Sequence, residues 1–417
     1  MSFSSSLQIL KHKEFRWFVL ARFFLTLAIQ MQMSTINLQI YYEYSKEEFI
    51  LGLIGLAEAL PFIITSFFSG YIADTVNRRR ILLLGCFALF IGSIFLLLHS
   101  NDAFTWLANF GMWPLFAVVF VFGIVRSFLA ATAPPFMSQI IPRELYTQSA
   151  TWNSTAWHSG SILGPVLAGI LYGFNGGLHA NWCYAITCVL FLLAFVFYLL
   201  IASKPMPEKK QGESFVQSMT VGVKFVFKNK LVLSALSLDL FAVLFGGAVA
   251  LIPAFTDKVL HLGPESYGLL RTAPAIGAVI MAFYLAVYPP TKKAGVSLLV
   301  AVIAFGVFTI LFALSKNYWL AFFMLFLTGA FDNISVVIRH TILQLSTPDD
   351  MRGRVAAVNS IFIGSSNEIG AFESGLAARV LGLVPSIVFG GAMTVLVVLG
   401  IHKLNPDLKK LDLTDLE

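Results

Sequence analysis

The sequence predicts an all-α membrane protein with twelve transmembrane helices in two pseudo-twofold-related six-helix halves. Three observations carry this. Hydrophobic residues make up 58% of the chain and charged residues 12%, with 40 phenylalanines, a balance outside that of soluble globular domains. Twelve apolar runs approach the roughly 20 residues needed to cross a bilayer core about 30 Å thick. A long stretch of the first half also recurs in the second.

The runs fall at 16–40, 50–73, 81–99, 113–136, 149–173, 181–203, 232–255, 266–288, 295–315, 317–338, 354–378 and 383–403. Twenty of the 28 Lys and Arg lie in the termini or the even-numbered connections, among them Lys11, Arg78, Arg79, Arg80, Lys204, Lys224, Lys228, Lys292 and Lys403. Only Lys46, Lys258, Lys316 and Arg379 fall on the other side. By the positive-inside rule both termini are cytoplasmic, which requires an even number of spans. The net charge of +6 therefore reports membrane orientation, and nucleic acid is not an expected partner. Cys86, Cys183 and Cys188 lie inside apolar runs without metal or disulfide spacing and read as packing residues.

The recurring stretch runs from Trp113 to Gly169 and returns shifted by 206 positions. Gly123, Pro142, Asn153, Ser154, Gly164 and Gly169 meet Gly329, Pro348, Asn359, Ser360, Gly370 and Gly375. A turn proline, an Asn-Ser pair and glycines seldom coincide through composition alone. The same register sets Arg126 opposite Asp332. A duplicated membrane protein with charges at equivalent depths suggests a transporter.

Taken in order, Lys11 to Arg16 reads as a short amphipathic approach to the first span, with bases at headgroup level. The first span then carries Arg22 and the polar residues Gln30, Gln32, Ser34, Thr35, Asn37 and Gln39. Bare amides facing lipid are unfavourable, so these groups, Gln30, Gln32 and Asn37 among them, line a watery cavity or pack between helices. The second span ends at Gly70-Tyr-Ile-Ala-Asp74-Thr-Val-Asn77-Arg78-Arg79-Arg80. Here a glycine would let helix ends approach, and Asp74 could cap a helix or bind an arginine across a cleft. In the fifth span Gly160, Gly164 and Gly169 allow close helix contact, and Pro165 introduces a bend. Residues 204–230 break the apolar rhythm and join a first half, 1–203, to a second, 231–417. The first apolar run is long enough to remain as a span, so a cleaved leader is not expected.

The loop from Gly70 to Arg80 resembles the connection between the second and third spans of the major facilitator superfamily, whose pattern is close to Gly-x-x-x-Asp-x-x-Gly-Arg-Arg. Asn77 replaces the second glycine and can also adopt a left-handed turn. The equivalent connection in the second half, Tyr288 to Lys293, has no carboxylate. Gly123-Ile-Val-Arg126 resembles the family's buried fourth-span arginine motif, and Gly160 to Gly169 the fifth-span glycine-proline motif of exporters that exchange cargo for protons. Arg22-Phe-Phe, Leu51 to Pro61, and Pro348-Asp-Asp-Met-Arg352-Gly-Arg354 are similar to the enterobactin-exporter-like branch. The resemblance runs nearly end to end. It implies a conformational-switch loop at Gly70, Asp74, Arg78, Arg79 and Arg80, and a cavity lined by the first, fourth, seventh and tenth spans, which bring Gln30, Gln32, Asn37, Arg126, Asp239, Asp332 and Asn333.

A charge at the centre of a span costs about 2.5–3.5 kcal/mol on insertion scales, so each retained one needs a reason. Glu58, Arg126, Asp332 and Glu368 lie near mid-span, with Asp239 closer to the cytoplasmic side. Carboxylates deprived of water take up protons more readily, whereas arginine stays charged. Glu58 and Asp332, then Glu368, with Asp239, are the candidates for proton coupling, and Arg126 is their expected charge partner. His158 reads as a packing histidine, and His340 is placed near the cytoplasmic surface.

The expected function is secondary active efflux of a small amphipathic compound, such as a siderophore or drug, by proton antiport and alternating access. An importer or lipid flippase on the same fold is the alternative, as is a non-transporting sensor. Zinc-protease, nucleophile-elbow and aspartate-dyad patterns are absent, so an enzyme is not expected, and without a Walker A loop neither is direct use of ATP. No cofactor or metal is expected. The expected setting is the bacterial inner membrane, with the lipid bilayer and small-molecule cargo as partners and a monomeric chain.

Overall fold

The computed structural model describes residues 9–101, 109–205, 215–348 and 351–415. Six long helices come first: α1 (Lys13–Gln39), α2 (Glu48–Thr75), α3 (Arg78–His99), α4 (Trp113–Ile140), α5 (Tyr146–Tyr172) and α6 (Ala180–Leu199). A shorter α7 (Phe215–Lys228) leads into α8 (Lys230–Phe245), α9 (Ile252–Lys258), α10 (Pro264–Val287), α11 (Ala294–Leu314), α12 (Tyr318–Ser346), α13 (Arg352–Leu381) and α14 (Leu383–Leu404). No strand occurs among the described residues. The chain is a multi-pass membrane protein, with α8 and α9 together making one interrupted span.

Ten spans are long and apolar enough to cross a membrane by composition. The other two expected runs, now α5 and α13, have the length, 27 and 30 residues, but carry too many polar side chains to meet that criterion. They are the two repeat copies of one helix. Both polar helices begin 206 positions apart, at Tyr146 and Arg352, as the internal repeat requires.

Local chemistry sets the helix ends. The side-chain oxygens of Asn77, Asn229 and Asn317 accept hydrogen bonds from backbone N–H groups of α3, α8 and α12, respectively, satisfying donors that a helix start leaves open. Asn77 does this in an extended rather than left-handed conformation, with φ −58° and ψ 115°, so the expected left-handed turn is replaced by a cap. The seventh span breaks at Gly246 and Gly247. A β-carbon on the first would run into the Phe305 ring, and one on the second would come within 2.7 Å of the Gly370 carbonyl oxygen. One turn of 3-10 helix, Ala248–Leu251, follows before α9 resumes. At the other extreme α12 runs on to Ser346, eight residues beyond the apolar run that predicted it.

The chain divides into two compact units. The first holds Met1–Lys46, Ala57–Lys210 and Gly263–Thr272; the second holds Glu47–Leu56, Gln211–Leu262 and Ala273–Glu417. Thus α2 and α10 each contribute residues to both.

In the first unit, α1 seats against α5 through small residues. A β-carbon on Gly160 would lie 2.8 Å from the Leu27 nitrogen, and one on Gly164 would lie 2.6 Å from the Gln30 β-carbon. Van der Waals contact at small residues is what holds helices together in lipid, where apolar burial no longer discriminates. Phe15, Phe18, Phe122, Phe136 and Phe191 fill the rest of this core. Cys86, Cys183 and Cys188 are free and buried.

The second unit repeats one contact of the first. A β-carbon on Gly123 of α4 would strike the Glu58 carbonyl oxygen and come within 2.8 Å of the Pro61 ring. One on its repeat counterpart Gly329 of α12 would strike the Pro274 carbonyl oxygen in α10. In each unit a glycine lets the helix cross another that contains a proline.

Candidate functional site

The Gly123 crossing brings Glu58 of α2 to Arg126 of α4, one turn further along. The two form an ion pair through Glu58 Oε1 and Arg126 Nη1, with Glu58 only 4% exposed. The guanidinium also stands 5.5 Å from the centre of the Phe62 ring, on the next turn of α2, a geometry that favours a cation over the ring face. Beside this pair, the hydroxyls of Thr65 and Ser127 are 2.6 Å apart. The structure thus brings Glu58 and Arg126 together.

Asp332 sits in a second cluster, within the second unit. Asp239 of α8 pairs with Arg339 Nη1 of α12, and both residues are almost wholly buried, at 5% and 2% exposure. Asp332 lies seven residues before Arg339, on the same face of α12 because two helical turns span about seven residues. It is within electrostatic reach of both Asp239 and Arg339. The exposed His340 is within reach of the same two groups. The cluster therefore holds one carboxylate paired with the guanidinium and a second two turns away along α12, and the guanidinium Nε is enclosed without a hydrogen-bond partner among the described residues. Arg339 was not among the residues predicted to matter, although its place in a span and its seven-residue spacing from Asp332 were both readable.

The remaining candidates are more dispersed. Glu368, partly buried on α13, lies where its backbone carbonyl oxygen would meet a β-carbon on Gly55 at 2.8 Å. Gln30 reaches Ser161 of α5 with Nε2, at 3.5 Å. Gln32 is wholly enclosed, and neither of its amide atoms has a hydrogen-bond partner among the described residues. These two glutamines belong to the helix seam around α1. Asn37 satisfies itself locally, donating to the Met33 carbonyl oxygen at 2.8 Å, whereas Asn333 keeps a buried Oδ1 without a partner. His158 of α5 likewise has an enclosed Nδ1 without a hydrogen bond.

One polar network escaped the sequence reading. The first span ends in a π-turn, Ile40–Tyr44, and such wide turns are often found at functional positions. Tyr172 OH donates to Glu43 at 2.8 Å. Gln39 Nε2 donates to the same carboxylate at 2.9 Å, while Tyr184 OH donates to Gln39 Oε1 at 2.8 Å. Nothing in residue spacing announces a π-turn, so the convergence of these groups was not readable.

A family model described as Major Facilitator Superfamily matches residues 18–371. The chain belongs to the major facilitator superfamily. Among curated superfamily relatives, the enterobactin exporter EntS of Citrobacter koseri is 23% identical over 395 residues, covering 94% of this chain and 92% of that protein. EntS of Salmonella typhimurium is 24% identical over 396 residues, with the same coverage. Among solved structures, a POT family transporter in complex with 5-aminolevulinic acid aligns with a TM-score of 0.75 at 12% identity, covering 95% of this chain and 96% of that one. A mutant form of the nucleoside transporter NupG aligns with a TM-score of 0.73 at 11% identity, covering 94% and 99%. At these identities the structures speak for the fold alone.

The superfamily loop between α2 and α3 is built differently from expectation at two points. A β-carbon on Gly70 would meet nothing within 4 Å among the described residues, so this glycine does not serve a close helix approach. Among the described residues Asp74 neither caps a helix nor reaches across a cleft; its exposed carboxylate pairs with Arg78, the first residue of α3, at 3.0 Å. The arginines themselves tie helix ends together. Arg78 donates through Nη1 to the Pro135 carbonyl oxygen of α4 at 3.4 Å, and Arg79 through Nη2 to the Leu199 carbonyl oxygen of α6 at 2.6 Å. Arg80 is exposed. The related motif at Pro348 to Arg354 includes Asp349 and Asp350, which lie outside the described residues.

In the superfamily's fifth span, Gly160, Gly164, Pro165 and Gly169 all lie on α5. Gly169 faces the first turns of α10, where its β-carbon would be 2.7 Å from the Gly268 nitrogen, and the Pro165 carbonyl oxygen faces Gly268 in turn. The glycines of the motif therefore serve two partner helices, two of them meeting α1 and one meeting α10.

Proposed function

We propose that this superfamily member is a secondary active exporter that moves a small amphipathic compound by alternating access, in exchange for protons. The supporting observation is the charge balance of the second cluster, in which Arg339 is already paired with Asp239 while Asp332 stands two turns away on the same face of α12. One carboxylate is surplus. In a low-dielectric setting such a site stabilises one added proton, and releasing that proton restores the charge. The Glu58–Arg126 pair has one charge of each sign and needs no proton for balance, so it is assigned the supporting role of holding α2 against α4.

Coupling requires that proton and cargo bind the two transport states with different affinity, because equal affinity shifts no equilibrium. Full enclosure takes Gln32 out of contact with cargo, and Gln30 is committed to Ser161. Asn333, one residue beyond Asp332 and only partly enclosed as a residue, is assigned to the cargo site of α12, and Asn37 to that of α1. The enterobactin exporters among the relatives support efflux and a siderophore-like cargo. Glu368 stands as an accessory proton site. The loop from Asp74 to Arg80 is assigned to the conformational switch, because its arginines hold the ends of α4 and α6. The inner membrane of a bacterium, with both termini cytoplasmic, is the setting that the Lys and Arg distribution supports.

The test is reconstitution into liposomes with an imposed pH gradient, screening siderophores, drugs and lysolipids for movement against protons. The wild-type protein should move cargo opposite to the proton flow, and Asp332→Asn and Asp239→Asn should retain cargo binding while losing dependence on the gradient. Transport by both variants with unchanged pH dependence would overturn the assignment. Co-movement of cargo and protons would favour an importer. Movement of lysolipid alone would favour a flippase.

A further inference from the structure

The helix α7 is one whose two faces make opposite demands. Its inward face packs into the second unit. Val226 is fully buried with Val232 and Leu236 of α8, Leu343 of α12, and Val355 and Val358 of α13. Gly222 lies against Arg354, where a β-carbon would come within 3.0 Å of the Arg354 carbonyl oxygen. Asn229 then turns the chain directly into a span: its N–H donates to Phe225 O at 3.0 Å, and its side chain accepts from Leu231 N at 3.1 Å. No slack separates α7 from the membrane-crossing α8.

The outward face carries Val221, Val223 and Phe227, the last of these 60% exposed, interleaved with the exposed Lys224 and Lys228 and followed by the exposed Lys230 at the start of α8. Residues 215–230 contain no Asp or Glu, and these three lysines form no ion pair among the described residues. Water alone would not favour so exposed a phenylalanine, and a hydrocarbon surface would not favour three ammonium groups. A phospholipid headgroup layer satisfies both, because apolar side chains enter the acyl boundary while lysines extend to the phosphates.

We propose that the outward face of α7 is a binding surface for the anionic phospholipid headgroups of the leaflet that α8 enters. Val221, Val223 and Phe227 anchor the helix at the level of the glycerol backbone, and Lys224, Lys228 and Lys230 select anionic over zwitterionic lipid. Since α7 packs on α8, α12 and α13, the lipid holds the entry end of these three helices.

The experiment uses the full-length protein. In native mass spectrometry from neutral detergent, the wild-type protein should retain phosphatidylglycerol in preference to phosphatidylcholine. Lys224→Gln/Lys228→Gln/Lys230→Gln should reduce that preference by about tenfold or more, since each lysine at an anionic surface adds to the attraction. The corresponding Lys→Arg triple should keep it, and Lys403→Gln/Lys409→Gln/Lys410→Gln should leave it unchanged. A second measurement is independent of any variant's folding: phosphatidylglycerol nanodiscs should protect Lys224, Lys228 and Lys230 from acetylation more than phosphatidylcholine nanodiscs do. Equal retention of the two lipids, equal loss in the control triple, or equal acetylation in the two nanodiscs would each overturn the proposal.

Discussion

Asp239 and Arg339 form an ion pair that is almost entirely shut off from water, and Asp332 stands two helical turns from the same arginine. Removing one member of a buried pair leaves the other charge without compensation, which typically costs about 3–5 kcal/mol, whereas replacing both with apolar residues of similar size is often tolerated. Arg339→Leu should therefore lower the thermal unfolding midpoint in detergent far more than Asp239→Leu/Arg339→Leu. A double variant as unstable as the single one would show that the pair contributes more than charge compensation.

Glycine substitutions should separate tight crossings from open surface. Gly329→Ala places a β-carbon on the Pro274 carbonyl oxygen, and overpacking of this kind costs about 1–3 kcal/mol. Gly70→Ala meets open space and should stabilise the helix by about 0.5–1 kcal/mol. Unfolding midpoints on either side of the wild type check both signs at once.

These two glycines also show what was legible in the sequence and what was not. The repeat exposed Gly329 through its match to Gly123, and both prove to be crossing points, because a duplicated contact preserves the residue that permits it. Gly70 looked equally meaningful through its motif, yet a glycine near the end of α2 does not by itself report which helix is nearby. Among the charges, Glu58, Asp239 and Asp332 stood out because each interrupts an apolar run. Their partners depend on helix rotation and crossing, which depth along a run does not encode. Arg339 is readable as a charge within a span, but its pairing with Asp239 depends on the rotation of α12, which continues to Ser346; Thr341, donating to the Val337 carbonyl oxygen at 2.9 Å, is one of the polar residues that carry the helix on.

The network at the end of α1 should rank two tyrosines. Tyr172 donates to a carboxylate and Tyr184 to a neutral amide, and hydrogen bonds to charged groups contribute about 1.5–3 kcal/mol against about 0.5–1.5 for neutral ones. Tyr172→Phe should lower the unfolding midpoint more than Tyr184→Phe. The reverse order would place the larger contribution on Gln39.

Asn77 has two duties at the superfamily loop. It caps α3, and its Nδ2 donates to Ser203 Oγ at 2.9 Å and to the Lys204 carbonyl oxygen at 3.2 Å. Loss of a cap costs about 1 kcal/mol. Asn77→Asp keeps the cap and removes the two donors, whereas Asn77→Ala removes both functions. Faster hydrogen exchange in the first turn of α3 for the alanine variant alone, together with faster exchange around residue 204 for both, would separate the two duties.

Residues 48–56 of α2 keep company with α13, where Gly52 would bring a β-carbon within 2.9 Å of the Gly375 α-carbon, while residues 264–272 of α10 keep company with α5 at Gly169. Each early stretch is thus lodged among helices encoded far away in the gene. A polypeptide severed between α6 and α7 would yield fragments that each lack a neighbour supplied by the other. Co-produced, the two pieces have a pair of glycine seams by which to find one another; made singly, each would present a bare seam to the lipid.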